Sequence, residues 1–208
     1  MESLNLANAA DRTGTALAAM FAARKHVFVD LLGWDLPLQE ERFEIDQFDD
    51  DDAGYVLLDG AGHAHRGSAR LLGTEAPHIL ADLFPSLCAG PVPRGPEIRE
   101  ITRFCIEPGL SRAYQREVRN ELVSALAHHA ACTGIKVYTA VAGLAWFRQI
   151  SRFGWECSAL GEPRLINGET LVGLRIEIGP DVTSRLRAAG IWRDPRYSAL
   201  RLEEGAMS

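Results

Sequence analysis

Glu100 and Arg103 are set into the run from Ile98 to Ile106, whose apolar members are Ile98, Ile101, Phe104, Cys105 and Ile106. Regular alternation puts Ile98, Phe104 and Ile106 on one face and Ile101 and Cys105 on the other, and apolar residues on both faces predict a central strand. Residues three apart point to opposite faces of a regular strand; a bulge between them would bring Glu100 and Arg103 together, as bulges often do beside active sites. The pair is either reactive or a buried salt bridge that does no chemistry, and two charges in a central strand favour the first. A second acidic set lies upstream. Between Glu40 and Asp52 stand eight carboxylates (Glu40, Glu41, Glu44, Asp46, Asp49, Asp50, Asp51, Asp52) against the single Arg42. Phe43 to Phe48 alternates, so an extended chain turns Glu44 and Asp46 to the same side. Asp50 to Asp52 read as a solvated turn; Asp49 is left open.

The elements that position these groups follow from periodicity. Leu17, Met20, Phe21, Phe28 and Leu31 recur at helical spacing and predict an amphipathic helix from Ala16 to about Leu31. Arg24 falls on that stripe, four after Met20 and four before Phe28. It is either a buried guanidinium that needs carboxylate partners or an arginine reaching water from the stripe's edge. Gly33 to Pro37 is a loop carrying Trp34, a packing anchor or a pocket wall. Tyr55 to Asp59 and His65 to Leu72, the latter carrying Arg70, form a hairpin around Gly60 to Gly62. Irregular chain holds Phe84, and a Pro/Gly-rich connection runs from Gly90 to Pro96. A long helix from Arg112 to Cys132 buries Val118, Leu122, Leu126 and Ala130. A strand from Val137 to Ala142, a short helix from Trp146 to Phe153 ended by Gly154, and a strand from Glu169 to Ile178 after the Asn167-Gly168 turn complete the pattern. The order predicts a mixed α/β domain, one central sheet with helices on both faces. Past Pro180 only weak helical patterning is visible.

A chain of 208 residues with 47% hydrophobic content fits one domain with a sizeable core. No apolar run reaches membrane-spanning length, and the N-terminal residues lack the basic and apolar regions of a signal peptide, so a cytoplasmic protein is expected. With 22 basic and 28 acidic residues, a net charge of -6 argues against a nucleic-acid partner. Cys88, Cys105, Cys132 and Cys157 are dispersed among apolar neighbours and read as buried free thiols. The histidines lack a third ligand at useful spacing, so no metal is expected.

Taken together, Arg24 to Trp34, Phe43 to Tyr55, Gly67 to Pro77, Leu83 to Leu87 and Glu100 to Ile106 resemble, in order and spacing, the acyl-homoserine lactone synthases of the autoinducer synthase family. The resemblance covers about residues 20 to 178. It implies an N-acetyltransferase-like fold: a twisted mixed sheet splayed at its middle, a bulged central strand, and a pantetheine arm entering beside the helix that follows. It also implies the reaction. The amino group of S-adenosylmethionine is acylated from a thioester on acyl carrier protein or coenzyme A, and the methionine carboxylate then closes onto its γ-carbon, expelling methylthioadenosine. S-adenosylmethionine is a substrate, and no cofactor is implied.

An α-amino group with a pKa near 7.7–8 must shed a proton before attacking a thioester, and a carboxylate raised by burial can take it. Glu100 is assigned that role, with Arg103, Glu44 and Asp46 beside it. On this reading Arg24 and Arg70 pair with the carboxylates, Asp49 included, which also help hold the sulfonium substrate, while Phe28 and Trp34 cover the adenosyl or thioester site. Phe84, Thr139, Val141 and Trp146 are expected around the acyl chain, and Ser111 and Arg112 at the phosphopantetheine phosphate. Arg112, Arg116 and Arg119 are either a basic face for an acidic carrier or an ordinary exposed helix face. Two alternatives compete: an ordinary N-acetyltransferase using acetyl-CoA on a small amine, and a binding module that keeps the pocket without turnover.

Overall fold

The first helix does not keep one pitch. In the computed structural model, which describes residues 6–60, 64–194 and 196–201, α1 (Leu6–Arg24) buries Leu17, Met20 and Phe21 as predicted. At Arg24 the chain passes into a π-helical segment, Lys25–Leu31. Its i→i+5 bonding widens the turn, so positions drift off the 3.6-residue stripe. Phe28 therefore stays buried while Leu31, expected on the same stripe, is 56% exposed.

The next elements in the chain are the short pair β1 (Leu38–Gln39) and β2 (Phe43–Glu44), the hairpin β3 (Gly54–Asp59) and β4 (His65–Gly73), then α2 (Ile79–Asp82) and β5 (Ile98–Ile106). The second half comprises α3 (Arg112–Thr133), β6 (Val137–Gly143), α4 (Leu144–Ile150), β7 (Glu156–Ala159), β8 (Arg164–Ile166), β9 (Glu169–Glu177), α5 (Val182–Ala188) and β10 (Ser198–Arg201). One sheet runs β10-β3-β4-β5-β6-β9-β7, with β8 also on β9. Residues of α1 and α2 pack on one face, and those of α3, α4 and α5 on the other. This is the mixed α/β, helix-flanked architecture that the sequence pattern and the resemblance both imply. Of the segment Phe43 to Phe48 only Phe43 and Glu44 form strand, as β2, and a turn begins at Gln47, yet Glu44 and Asp46 still converge on Arg103. Two-residue turns suit hairpins when both φ are positive, and Asn167 and Gly168, at 51° and 84°, join β8 to β9 in that way.

Two irregularities of β5 make the site. Its parallel ladder with β6 pairs Ile98 with Val137, Arg99 with Tyr138 and Glu100 with Thr139, then stops although both strands continue. The sheet splits there. On the other edge, Arg70 pairs with Thr102 and Ser68 with Cys105, so Arg103 and Phe104 together oppose Ala69. This is the expected bulge, and Arg103 adopts φ 50°, a conformation that costs a non-glycine residue about 1–2 kcal/mol. It also corrects the predicted alternation. The extra residue resets parity, so Ile101 packs with Phe104 and Ile106 against the α3 side. Cys105 goes to the other face, against Ala23 and Phe28.

Three further readings change. The helix expected over Trp146 to Phe153 begins at Leu144 and ends at Ile150; Gly154 lies in the turn beyond, at φ 99°, where a Cβ would come 2.6 Å from the Arg185 carbonyl oxygen. The tail is structured: α5 caps the core, and β10 returns to pair with β3 at the far edge. Of the four free thiols only Cys105 is buried; Cys132, on the outer face of α3, is exposed because one apolar flank on a helix surface does not bury a residue.

Candidate active site

Arg24, buried at 1% exposure, resolves its two readings in favour of a paired guanidinium. Its Nε donates to Glu44 Oε2 at 2.6 Å, and its two terminal nitrogens donate to Asp49 at 2.8 Å each. Glu44 in turn accepts from Arg103 Nη2 at 2.9 Å, and the same nitrogen donates to Asp46 at 2.7 Å. Asp46 accepts from both terminal nitrogens of Arg70, at 2.6 and 3.0 Å, and Arg70 closes the circuit on Asp49 at 2.8 Å. Three arginines and three carboxylates thus alternate around a closed ring. Each guanidinium also lies over a ring: Arg24 over Phe21, Arg70 over Phe48, Arg103 over Phe28. Buried charges survive when every one is paired and hydrogen-bonded, and the end of α1, β2 with the turn that follows it, β4 and the β5 bulge supply the members.

Burial alone would push the Asp49 carboxyl up, but the hydrogen bonds and charge of Arg24, with Arg70, hold it well below the usual carboxylate range. Tyr55, on β3, donates its hydroxyl to Asp49 Oδ1 at 2.8 Å, and Thr102 accepts from Arg70 Nε at 2.9 Å. Neither stood out in the sequence, because a tyrosine or threonine in a strand carries no signal of its partner.

Glu100 stands apart from the ring. Its side chain lies on the α1 face of β5, where Oε1 accepts from the Leu80 N–H at 2.9 Å, while Oε2 is buried without a hydrogen-bond partner. Burial pushes its carboxyl up to about 8, against the pull of the Leu80 and Ile79 N–H groups and the Arg70 charge. The bulge turns Arg103 to the same face as Glu100, yet no ion pair joins them: Arg103 pairs through its Nε and Nη2 with Glu44 and Asp46.

Both residues line one cavity of about 1360 Å³, more than the ~300–1,000 Å³ of a single drug-sized ligand. On the α1 side its walls include Phe28, Trp34, Asp46, Phe84 and Arg103; Trp34, 40% exposed, stacks on Phe28 with centroids 5.0 Å apart. The cavity then passes through the split between β5 and β6 into an apolar limb on the α3 side, past Ala140, Ala142 and Trp146 to Leu126 and Leu174. Val141 lines the passage on the α1 face. Not every expected residue arrives here. Glu44 and Asp49 sit behind the wall, and Asp46 is the ring carboxylate that reaches it. Thr139 is buried beside Glu100 with its hydroxyl unpartnered, outside the lining. Ser111 caps α3 by accepting from the Tyr114 N–H at 3.3 Å, and Ser111 and Arg112 are exposed outside the cavity. Arg116 is exposed, whereas Arg119 leans onto Phe153 and Asn120.

The family model that matches the chain is described as autoinducer synthase and spans residues 8–186. An acyl-homoserine-lactone synthase of Ralstonia nicotianae is 35% identical over 180 residues, covering 83% of this chain and 87% of its own. Among solved structures, TofI in a ternary complex with an inhibitor and MTA is 32% identical at a TM-score of 0.71, covering 82% of this chain and 89% of its own. MesI, a CoA-dependent acyl-homoserine lactone synthase, is 29% identical at a TM-score of 0.75, covering 85% and 89%.

Proposed function

The chain belongs to the autoinducer synthase family, and from that premise we propose how its cavity divides the work of the reaction. The chain is an acyl-homoserine-lactone synthase, an acyltransferase that makes the lactone from S-adenosylmethionine and an acyl thioester. S-adenosylmethionine occupies the α1 side, its adenosyl group against the Phe28–Trp34 stack. The acyl chain lies in the apolar limb, and the thioester carbonyl meets the amino group at the split beside Glu100.

The first step needs a free amine. Glu100 Oε2, buried and unpartnered at the split, takes a proton from the ammonium group; the amine attacks the thioester carbonyl, and the carbon–sulfur bond breaks to release the carrier thiol. A base whose pKa lies near that of the group it deprotonates loses little driving force, and Glu100 near 8 meets that condition. The second step needs positioning more than acid–base help. Arg103, the ring cation in the cavity wall, holds the methionine carboxylate over the γ-carbon. A carboxylate oxygen then forms the ring bond while the γ-carbon–sulfur pair leaves with methylthioadenosine, cancelling carboxylate and sulfonium charges. Neither step calls for a cofactor or metal.

The carrier is coenzyme A or acyl carrier protein; parallel assays with both separate them. We place the reaction in the cytoplasm, with its substrates; among the described residues no helix is long and apolar enough to cross a membrane. The observation that carries the reading is Glu100, a buried carboxylate with one free oxygen where the two halves of the cavity meet. Mass spectrometry of purified protein incubated with S-adenosylmethionine and a panel of acyl thioesters is expected to show the homoserine-lactone fragment. An acylated amine without lactone would overturn it in favour of a plain N-acetyltransferase, and a folded protein that turns over no thioester would favour the binding module.

Two expectations follow for kinetics. Turnover rises with pH through about 8, because Glu100 must be ionised before it can take the ammonium proton; a flat profile between pH 6.5 and 8.5 contradicts Glu100 as the base. Trp34→Ala removes the outer face of the aromatic stack, and losing one base–aromatic stack of roughly 1–3 kcal/mol raises KM for S-adenosylmethionine about tenfold. The thioester KM should barely move; equal rises in both would place Trp34 in the acyl path instead.

A further inference from the structure

A run of ring contacts, Phe104 with Trp146, Trp146 with Phe153 and Phe153 with Trp155, carries the wall of the apolar limb from β5 to Trp155. Leu126, Leu174 and Ile176 line the same limb. Trp155 also lines a second cavity, of about 440 Å³. That cavity is charged, with Lys136, Glu177, Asp181 and Arg185 around it. The end of β9 lies between the two: Ile176 lines the limb, and Glu177 and Ile178 line the second cavity. The indole is also fixed in place. Its Nε1 donates to the Ile150 carbonyl at the end of α4 at 3.0 Å, and its ring packs against Phe153 with centroids 6.0 Å apart. It is 5% exposed.

We propose that Trp155 is the end wall of the acyl compartment, setting the longest chain the enzyme accepts, and that removing it joins the compartment to the charged cavity behind. The inference rests on the apolar limb being the acyl site. A chain that reaches the indole has filled the limb. One that is longer must displace a side chain held by a hydrogen bond and an aromatic contact, or leave its last carbons outside. With a smaller residue the surplus carbons pass into the space lined by Lys136 and Arg185, whose aliphatic stems tolerate apolar contact.

The test measures kcat/KM for straight-chain acyl thioesters of increasing length with saturating S-adenosylmethionine, in wild type, Trp155→Leu and Ala142→Trp. Leucine keeps an apolar filler where alanine would leave a larger void, and thermal denaturation confirms that each variant is folded. Trp155→Phe serves in its place if Trp155→Leu is not folded. Discrimination by one methylene in an apolar pocket is about 10–200-fold. In Trp155→Leu the kcat/KM ratio of a chain two carbons beyond the wild-type limit to one at the limit should therefore rise at least about tenfold, through the thioester KM, with the S-adenosylmethionine KM unmoved. Ala142→Trp, which narrows the limb nearer the split, should shift preference to shorter chains. A limit that moves in Ala142→Trp and stays in Trp155→Leu overturns Trp155 as the wall. A limit that moves in neither overturns the acyl assignment of the limb, and the wall with it.

Discussion

Glu100→Gln is expected to lower kcat by about a hundredfold to ten-thousandfold, the usual contribution of a positioned general base. The fold should survive. Glutamine keeps an acceptor for the Leu80 N–H, and below pH 8 it replaces a carboxyl that burial already keeps largely protonated. The linkage has a definite sign. The folded-state pKa of about 8 lies above the ordinary 4.5, so between those values the native protein holds a proton that the unfolded chain releases. Stability therefore falls as pH rises across that window. The glutamine variant lacks this penalty, so its stability relative to wild type should improve toward alkaline pH. Steady-state kinetics and thermal melts at pH 6 and 8.5 check both halves. Wild-type turnover in Glu100→Gln would remove Glu100 as the base.

Arg24→Ala should act mainly on stability. Removing one partner of a buried ion pair costs about 3–5 kcal/mol, because the abandoned charges stay buried. For a chain of this size that is a fall in Tm of roughly 6–20 °C. Asp49 would keep Arg70 and Tyr55, and Glu44 would keep Arg103. Each loses its bond to Arg24, however, and the carboxyl of Asp49 rises toward its ordinary range. Its folded-state pKa is depressed in the intact ring, so its stabilising contribution is present above the unfolded pKa and is lost as pH falls through the folded one. The wild-type advantage over Arg24→Ala should accordingly shrink in acid, where stranded carboxylates take up protons. Arg24→Lys should rescue little, since an ammonium cannot match the three-bond fork to Glu44 and Asp49. A Tm within 1–2 °C of wild type in Arg24→Ala would show that the ring tolerates opening.

Much of this site was legible because its residues break local rules. An arginine on an apolar stripe and charges in a two-sided strand are local conflicts that call for buried partners, and they singled out Arg24, Glu100 and Arg103. The hairpin, the α3 stripe and the Asn167-Gly168 turn follow from period and turn chemistry alone. What stayed hidden depends on tertiary context. The Leu80 N–H that holds Glu100 is a backbone group and leaves no mark in the sequence. That Glu44 and Asp49 are consumed by arginines rather than turned to a substrate is set by how β2 meets α1. The return of β10 to the β3 edge is long-range pairing by four residues, too short a run to announce itself. The π-helical turn has no compositional signature in Lys25 to Leu31 and shows only through where Phe28 and Leu31 end up.

The β5 bulge has a consequence for insertions and deletions. Thr102 and Arg103 are consecutive, yet both serve the ring, Thr102 by accepting from Arg70 and Arg103 by bridging Glu44 and Asp46. Deleting Thr102 restores strict alternation: Arg103 slides into its slot, and Phe104, Cys105 and Ile106 keep the faces they now occupy. The hydrophobic core would not register the loss of that residue. The surplus position in the strand is therefore the one the ring uses, and a family member lacking it would have to give up either the threonine that supports Arg70 or the third arginine. In the second case three carboxylates would face two cations, and one acid would be left to find a proton.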